Sequence, residues 1–390
     1  MPFKTANPRP GWNALTNRRS RPLEVLAEKA IFLVSLSAIV MVFLIFLFIA
    51  REALPVALGN TDSARVGKVI APDQIATLSD KELMAYLGLS PKEFNRTDKA
   101  TLKELMAVKA EAAAEAPKDK DAALNTASWR MMLQPYQWSD YEKPEYIWQP
   151  VSQIHKYNLV PLFIGSLKVT FVALLFGVPL ALGAAIYVSQ LASPRVREWV
   201  KPGIELLAGI PSVILGFFAM IVMATVIQSV FGNESRLNAF VAGLALALAV
   251  IPVVFSVAED ALTSVPRSFT HAALALGSSK WQAAWRIVMP IALPGVFAAV
   301  VLGFGRAIGE TMIVLLASGN ASIVSGSLFD STRTMTAAVA SELLETVFGG
   351  HHYRVLFLIG ALLFLVTFLA NLAADAIIHR LKNRLEGNVA

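Results

Sequence analysis

The sequence predicts an all-α integral membrane protein, with six transmembrane helices and a helical insertion outside the cytoplasm. Three observations carry this. Of 390 residues, 55% are hydrophobic and only 16% are charged, against about 25% charged in average soluble domains. The apolar residues gather in blocks of about 20 or more, enough to cross a hydrocarbon core about 30 Å thick. Lysine and arginine crowd alternate connections between those blocks, the bias that orients membrane helices. A purely soluble enzyme, a disordered chain and a collagen-like chain are excluded. The absence of cysteine excludes a disulfide scaffold, a thiol nucleophile, an iron–sulfur cluster and a cysteine zinc site.

The first span is Ala30 to Ala50, free of charge and preceded by Arg18, Arg19, Arg21 and Lys29. It is too long for a signal-peptide core, and Arg51-Glu52-Ala53 after it is no cleavage site, so a retained helix is expected. Five more spans follow. Leu159 to Val188 carries only Lys168; Leu207 to Phe231 and Leu237 to Val257 carry no charge. Ile291 to Ala317 carries only Arg306 and Glu310, and Val355 to Ile378 only Asp375. Lys168, near the outer end of its span, is expected to snorkel to the interface. The layout is a cytoplasmic tail 1–29, a first helix 30–50, an extracytoplasmic insertion 51–157, a five-helix core 158–380 and a cytoplasmic tail 381–390.

Orientation follows from the short loops. The N-terminal tail holds Lys4, Arg9, Arg18, Arg19, Arg21 and Lys29, and the loop after the second span Arg195, Arg197 and Lys201. The loop after the fourth span adds Arg267, Lys280 and Arg286, and the C-terminal tail Arg380, Lys382 and Arg384. The opposite loops have only Arg236, Arg333 and Arg354. Both termini are therefore expected in the cytoplasm of a multi-pass inner-membrane protein. The net charge of +6 then serves topology and lipid contact, not nucleic acid.

In the insertion, charges nearly cancel and helix-start signals recur: Ser79 with Glu82, Ser90-Pro91 with Glu93, Thr101 with Glu104. Trp129, Tyr136, Trp138, Tyr141, Tyr146, Trp148 and Tyr157 crowd the approach to the second span, and such aromatics favour a membrane–water interface. A small helical domain or short surface helices are expected, either without chemistry or as a contact for an extracytoplasmic partner. His351-His352, an adjacent pair without further ligands, is expected in a solvent-exposed outer loop.

The loop 259–290 reads as two short helices broken at Gly277, where a sharp turn calls for positive φ. The first is expected to bury Phe269, Ala272, Ala273 and Leu276 on one side, and Trp281, Trp285 and Ile287 to anchor the second. Pro290 opens the next span.

Within the fifth span, Gly305-Arg306-Ala-Ile-Gly309-Glu310-Thr311 places two charges four residues apart on one helix face. An unpaired charge there costs at least ~2.5–3.5 kcal/mol, so the face should look into the bundle or a wet pathway. Gly305 and Gly309 would let a neighbouring helix approach closely. Two readings of the pair stand level. It locks helix packing, or Arg306 offers its fork to a tetrahedral oxyanion while Glu310 holds the fork and weakens permanent capture.

These residues carry a resemblance. His271-Ala272-Ala273, Gly277, Ile287 and Met289-Pro290 keep the full spacing of the cytoplasmic loop of ABC importer permeases, with His271 replacing the family's glutamate and Met289 its leucine. The resemblance implies a type I ABC importer permease fold and a coupling helix that docks on an ATPase subunit through His271, Ala272, Ala273, Leu276, Gly277 and Ser278. Gly-Arg-Ala-x-Gly-Glu-Thr in the fifth span, Ile210-Pro211-Ser212-Val213 and Leu276-Gly277-x2-Lys280-Trp281 look like the Pst phosphate permeases. The Met312 and Val314 that follow are closer to the PstC branch than to PstA. That resemblance covers about residues 158–380 and implies Arg306, Glu310 and Thr311 as substrate-pathway residues. It also implies a homologous second permease, an ATPase dimer and an extracytoplasmic phosphate-binding protein as partners.

No Gly-x4-Gly-Lys-Ser/Thr occurs. The chain is therefore expected to bind no cofactor, with ATP and Mg on the partner ATPase. Alternatives are a permease for another oxyanion, molybdate or sulfate, and a membrane scaffold or sensor of phosphate status. A membrane enzyme lacks any cluster of His, Asp and Glu in the spans.

Overall fold

The computed structural model describes residues 22–59, 124–152 and 154–387, with isolated positions 94, 98, 101, 102, 104–106 and 121 between. Among the described residues, six helices are long and apolar enough to span a membrane. The chain forms two units, one ending at Arg51 and the other beginning at Glu52.

Helix α1, Pro22–Ala57, extends beyond the 30–50 run at both ends. From Leu26 to Leu47 its described side chains are exposed on every side, the pattern of a helix meant for lipid rather than for a one-sided core.

The second unit begins with a small module. Short helix α2, Trp129–Leu133, is capped by Ser128. A two-stranded antiparallel sheet follows, β1 (Trp148–Gln149) against β2 (Lys156–Tyr157), with Trp148 facing Tyr157. Parts of 94–106 are helical; the start signals at Ser79 and Ser90 lie outside the described residues. The expectation of interfacial aromatics is corrected here. Trp138, Trp148 and Tyr157 are buried, and Trp148 and Tyr157 share an apolar cluster with Met132, Leu162, Met335 and Ile359. Trp148 Nε1 donates to Glu342 Oε1 at 3.0 Å. A buried indole needs such an acceptor, and this one comes from 194 residues further along the chain.

The core is built on α3 (Val160–Ile186), α7 (Ala239–Thr263) and α10 (Met289–Ile308), with α7 packed between the other two. The α3–α7 crossing is close because Gly243 has no side chain: a Cβ there would overlap Val172. Membrane helices gain little from hydrophobicity against each other, so such small-residue contacts supply the attraction.

Between α3 and α7 run α4 (Pro194–Ala208), α5 (Ser212–Phe218) and α6 (Ala224–Phe231). The third span starts at Ser212, the later of the two starts its sequence allows (about Leu207, or near Pro211), because Gly209 and Pro211 interrupt the helix. A π-helical turn, Ala219–Met223, joins α5 to α6. After α7 come α8 (Arg267–Ala275) and α9 (Lys280–Ala283), the latter passing through a further π-helical turn, Ala284–Val288, into α10.

The expected continuous fifth helix is broken. After α10 ends at Ile308, residues 309–311 leave the helix, and α11 (Met312–Ala317) resumes it. A loop then caps α7: Ala239 N and Phe240 N donate to Asp330 O and Leu328 O. Helix α12 (Met335–Glu342) lies against α3, α11 and α13 (His351–Gly387), which packs on α10.

Candidate functional site

The break at 309–311 frees backbone groups that a continuous helix would pair. Each found partner is specific. Glu310 N donates to Ala307 O at 3.3 Å. Glu310 Oε1 accepts from Met312 N at 3.2 Å, so the carboxylate caps the restarted helix where negative charge is favoured. The Glu310 carbonyl accepts from Thr336 Oγ1 of α12 at 2.8 Å. Irregular backbone at membrane depth survives only inside protein or beside a water-filled cavity.

Arg306 and Glu310 meet across this break, Nη2 to Oε2 at 3.5 Å. The separation is an ion pair rather than a tight hydrogen bond. The Glu310 side chain is 5% exposed and the Arg306 side chain 50%. Among the described residues no other group accepts from the guanidinium. One face of the fork is thus held and the rest is open. Arg306 also ends α10, where the helix dipole favours a cation. Thr311 sits beside the pair, its Oγ1 donating to Gly309 O at 3.4 Å. The sequence-predicted trio is therefore brought together.

Among the described residues of this chain no neighbouring helix approaches Gly305 or Gly309. A Cβ on Gly305 would meet nothing within 4 Å, and one on Gly309 only its own Gly305 carbonyl. Within this chain the close contacts of α10 fall on Gly295, against Ala261, and on Gly303, against Val254, both of α7. The Arg306 face is open in the single chain because α10 turns its other side to α7.

The loop 264–288 has the predicted two-helix form. Gly277 has φ +85°. Gly277 N donates to Leu274 O at 3.0 Å and Ser278 N to Ala273 O at 3.1 Å, the paired bonds of a Schellman turn. Ser279 and Gln282 then form a reciprocal capping box. The expected burial is overturned: only Ala273 is buried, while Phe269 and Ala272 are exposed and Leu276 is 88% exposed. His271 and Gly277 are exposed and Ser278 half-buried. The apolar face of α8 points away from the bundle. Trp281 and Trp285 stack on each other at 6.0 Å and stay exposed.

Three features escaped the sequence. Glu259, 0% exposed, accepts from Lys201 Nζ at 2.7 Å and Thr263 Oγ1 at 3.0 Å, and from Arg197. The two cations counted for topology thus tie α4 to α7 directly before the loop. Their i,i+4 spacing was the available signal. The bond to Glu259 raises the Lys201 pKa above its usual value, against a smaller opposing effect of burial. A raised lysine contributes stability below the ordinary lysine range, and that contribution is lost as pH climbs through the raised value. Glu259→Ala removes the carboxylate that both cations share, leaving Arg197 with Thr263 Oγ1 at 3.1 Å and Lys201 with Asp260 at 3.7 Å. We expect a loss of about 1–3 kcal/mol, below the usual cost for a fully buried pair because Arg197 and Lys201 are a third exposed. Thermal unfolding in detergent measures it, and an unchanged midpoint would show that the cluster does not hold α4.

Glu342 is the second, accepting from Trp148 and Arg333, the latter at 2.7 Å, with His352 Nε2 3.1 Å from its Oε2. His351 and His352 are therefore not solvent-exposed; both rings lie against Tyr157. The third is Lys168. Its Nζ donates to Ser325 O at 3.2 Å, in the loop 318–334.

Six apolar spans, an ion pair at a break inside one of them and a projecting two-helix loop define a membrane transport permease. Residues 177–386 match the family described as binding-protein-dependent transport system inner membrane component, and the chain belongs to that family. With six described helices long and apolar enough to span a membrane, the chain is placed by this family as a multi-pass inner-membrane protein. The Bacillus subtilis (strain 168) protein named "Probable ABC transporter permease protein YqgH" is 32% identical over 223 residues, 57% of this chain and 72% of that one. The "Phosphate transport system permease protein PstC" of Xylella fastidiosa (strain 9a5c) is 34% identical over 261 residues, 62% of this chain and 79% of that one. A solved chain of the inward-facing MetNI methionine ABC transporter is 20% identical with a TM-score of 0.47, over 57% of this chain and 95% of that one.

Proposed function

We propose that the chain is a permease subunit of an ATP-driven phosphate importer. The observation that carries it is the half-exposed Arg306 guanidinium held by buried Glu310 at a helix break inside a span. A planar fork with open donors suits a tetrahedral oxyanion, and a neighbouring carboxylate keeps the capture reversible. Thr311 adds a hydroxyl at the same break. Relatives named as phosphate permeases support the choice of anion.

In this reading the lysine- and arginine-rich end, with both termini and the α8–α9 loop, is cytoplasmic, and the 51–157 insertion is extracytoplasmic. An extracytoplasmic binding protein delivers phosphate. A homologous second permease closes the open Arg306 face. Two ATPase subunits, which hold ATP and Mg, grip His271, Ala272, Ala273, Leu276, Gly277 and Ser278. Their cycle shifts the permeases between outward and inward openings through contacts that differ in the two states. This chain performs no covalent chemistry.

The test is uptake of labelled phosphate into proteoliposomes holding the purified complex, binding protein and internal ATP. We expect ATP-dependent uptake that excess unlabelled phosphate blocks and equal sulfate or molybdate does not. Blocking by either competitor would overturn the choice of anion. Intact uptake in a deletion strain that has lost phosphate signalling would make the chain a sensor instead.

A further inference from the structure

We infer that Thr336 is a positioning residue for the anion site, a clasp that keeps the α10–α11 helix broken so that the Glu310 carboxylate stays divided between Met312 N and Arg306 and leaves the guanidinium fork partly open. The inference rests on the proposed role of that pair. Its basis is the bond from Thr336 Oγ1 to the Glu310 carbonyl at 2.8 Å. In an unbroken helix that carbonyl would receive the amide four residues on, from Val314. Here the regular ladder begins one residue later, with Leu315 N donating to Thr311 O at 2.9 Å. The hydroxyl therefore takes the place of a helical bond at the residue whose side chain makes the ion pair.

The clasp is itself fixed. Thr334 Oγ1 caps α12 by accepting from Ala337 N at 3.2 Å. Met335 N donates to Ser166 Oγ of α3 at 2.9 Å. At its far end Glu342 is held by Arg333 and Trp148. A hydroxyl presented from so constrained a helix meets the carbonyl with little entropy left to lose. Gly309 weakens the helix locally but does not by itself require a break: its φ is an ordinary −87°, and apolar residues flank 309–311 on both sides. The partner that stabilises the break comes from another helix, as broken membrane helices require. Without it a buried carbonyl is unsatisfied; straightening the helix to recover Val314 N would also return Met312 N to the ladder, release Glu310 Oε1 from it, and let the i,i+4 carboxylate close fully on the Arg306 fork.

The experiment compares Thr336→Val and Thr336→Ser in reconstituted phosphate uptake, beside Arg306→Ala. Valine keeps the volume and removes the donor; serine restores the donor. We expect Thr336→Val to raise the KM for phosphate delivered by the binding protein at least 10-fold, with the complex recovered in ordinary yield, and Thr336→Ser to return it to within 2-fold. A wild-type KM in Thr336→Val, or failure of serine to rescue, would overturn the inference. So would an unchanged KM with reduced kcat, because that is the mark of a merely structural hydroxyl. If Arg306→Ala itself transports normally, the anion site fails and the clasp with it. If Arg306→Ala is inactive and Thr336→Val is normal, only the clasp fails.

Discussion

Arg306→Ala abolishes phosphate uptake while the complex still assembles: this is the largest effect we expect from a single side chain. If the anion sits on the fork as proposed, replacing the fork removes two or more charge-assisted hydrogen bonds, each worth about 1.5–3 kcal/mol, so uptake should fall by a factor of about 100 or more. Assembly survives because the guanidinium is half-exposed and its ion pair spans 3.5 Å, a geometry that adds little to stability. Arg306→Lys keeps the charge and loses the planar fork; an intermediate rate is expected. The competing view, a pair that only locks packing, makes the opposite prediction, with recovery of the complex falling and the surviving complexes transporting normally. Uptake normalised to recovered complex separates the two. A normal rate per complex in Arg306→Ala would remove Arg306 from the pathway.

The parts legible in the sequence are those set by local pattern. All six spans show as blocks of apolar residues because lipid imposes length and composition on each helix separately. The turn at Gly277 shows because a Schellman turn needs a residue that tolerates positive φ, and spacing fixes what surrounds it. What escaped depends on partners remote in sequence. The break at 309–311 lies in a run that reads as one helix, and it rests on Thr336, 26 residues away. Trp148 reads as an interfacial aromatic until Glu342 supplies its acceptor from α12. Arg197 and Lys201 read as orienting charges, and only the fold sets them on buried Glu259. The apolar face of α8 reads as core, since residue type alone does not distinguish a face buried in its own chain from one left open.

That open face makes Gly277 the second position where a large effect is expected. Its φ of +85° is one that a β-branched residue adopts only under strain of about 1–3 kcal/mol. A Cβ there would meet nothing within 4 Å, so Gly277→Val acts through the backbone alone. Relief of the strain undoes the Schellman turn and swings α8, with Phe269 and Leu276, relative to α9. If ATPase subunits dock on that surface, their recovery with tagged permease should fall at least 10-fold, and phosphate uptake with it. Gly277→Asn is the control, because asparagine enters the left-handed region readily and should hold most of the partner. The bundle itself should unfold at an unchanged temperature, since Gly277 is exposed and lies outside the apolar cluster of α3, α7 and α10. Full ATPase recovery in Gly277→Val would mean that the partner grips some other surface, and the exposed apolar side of α8 would then need a different occupant.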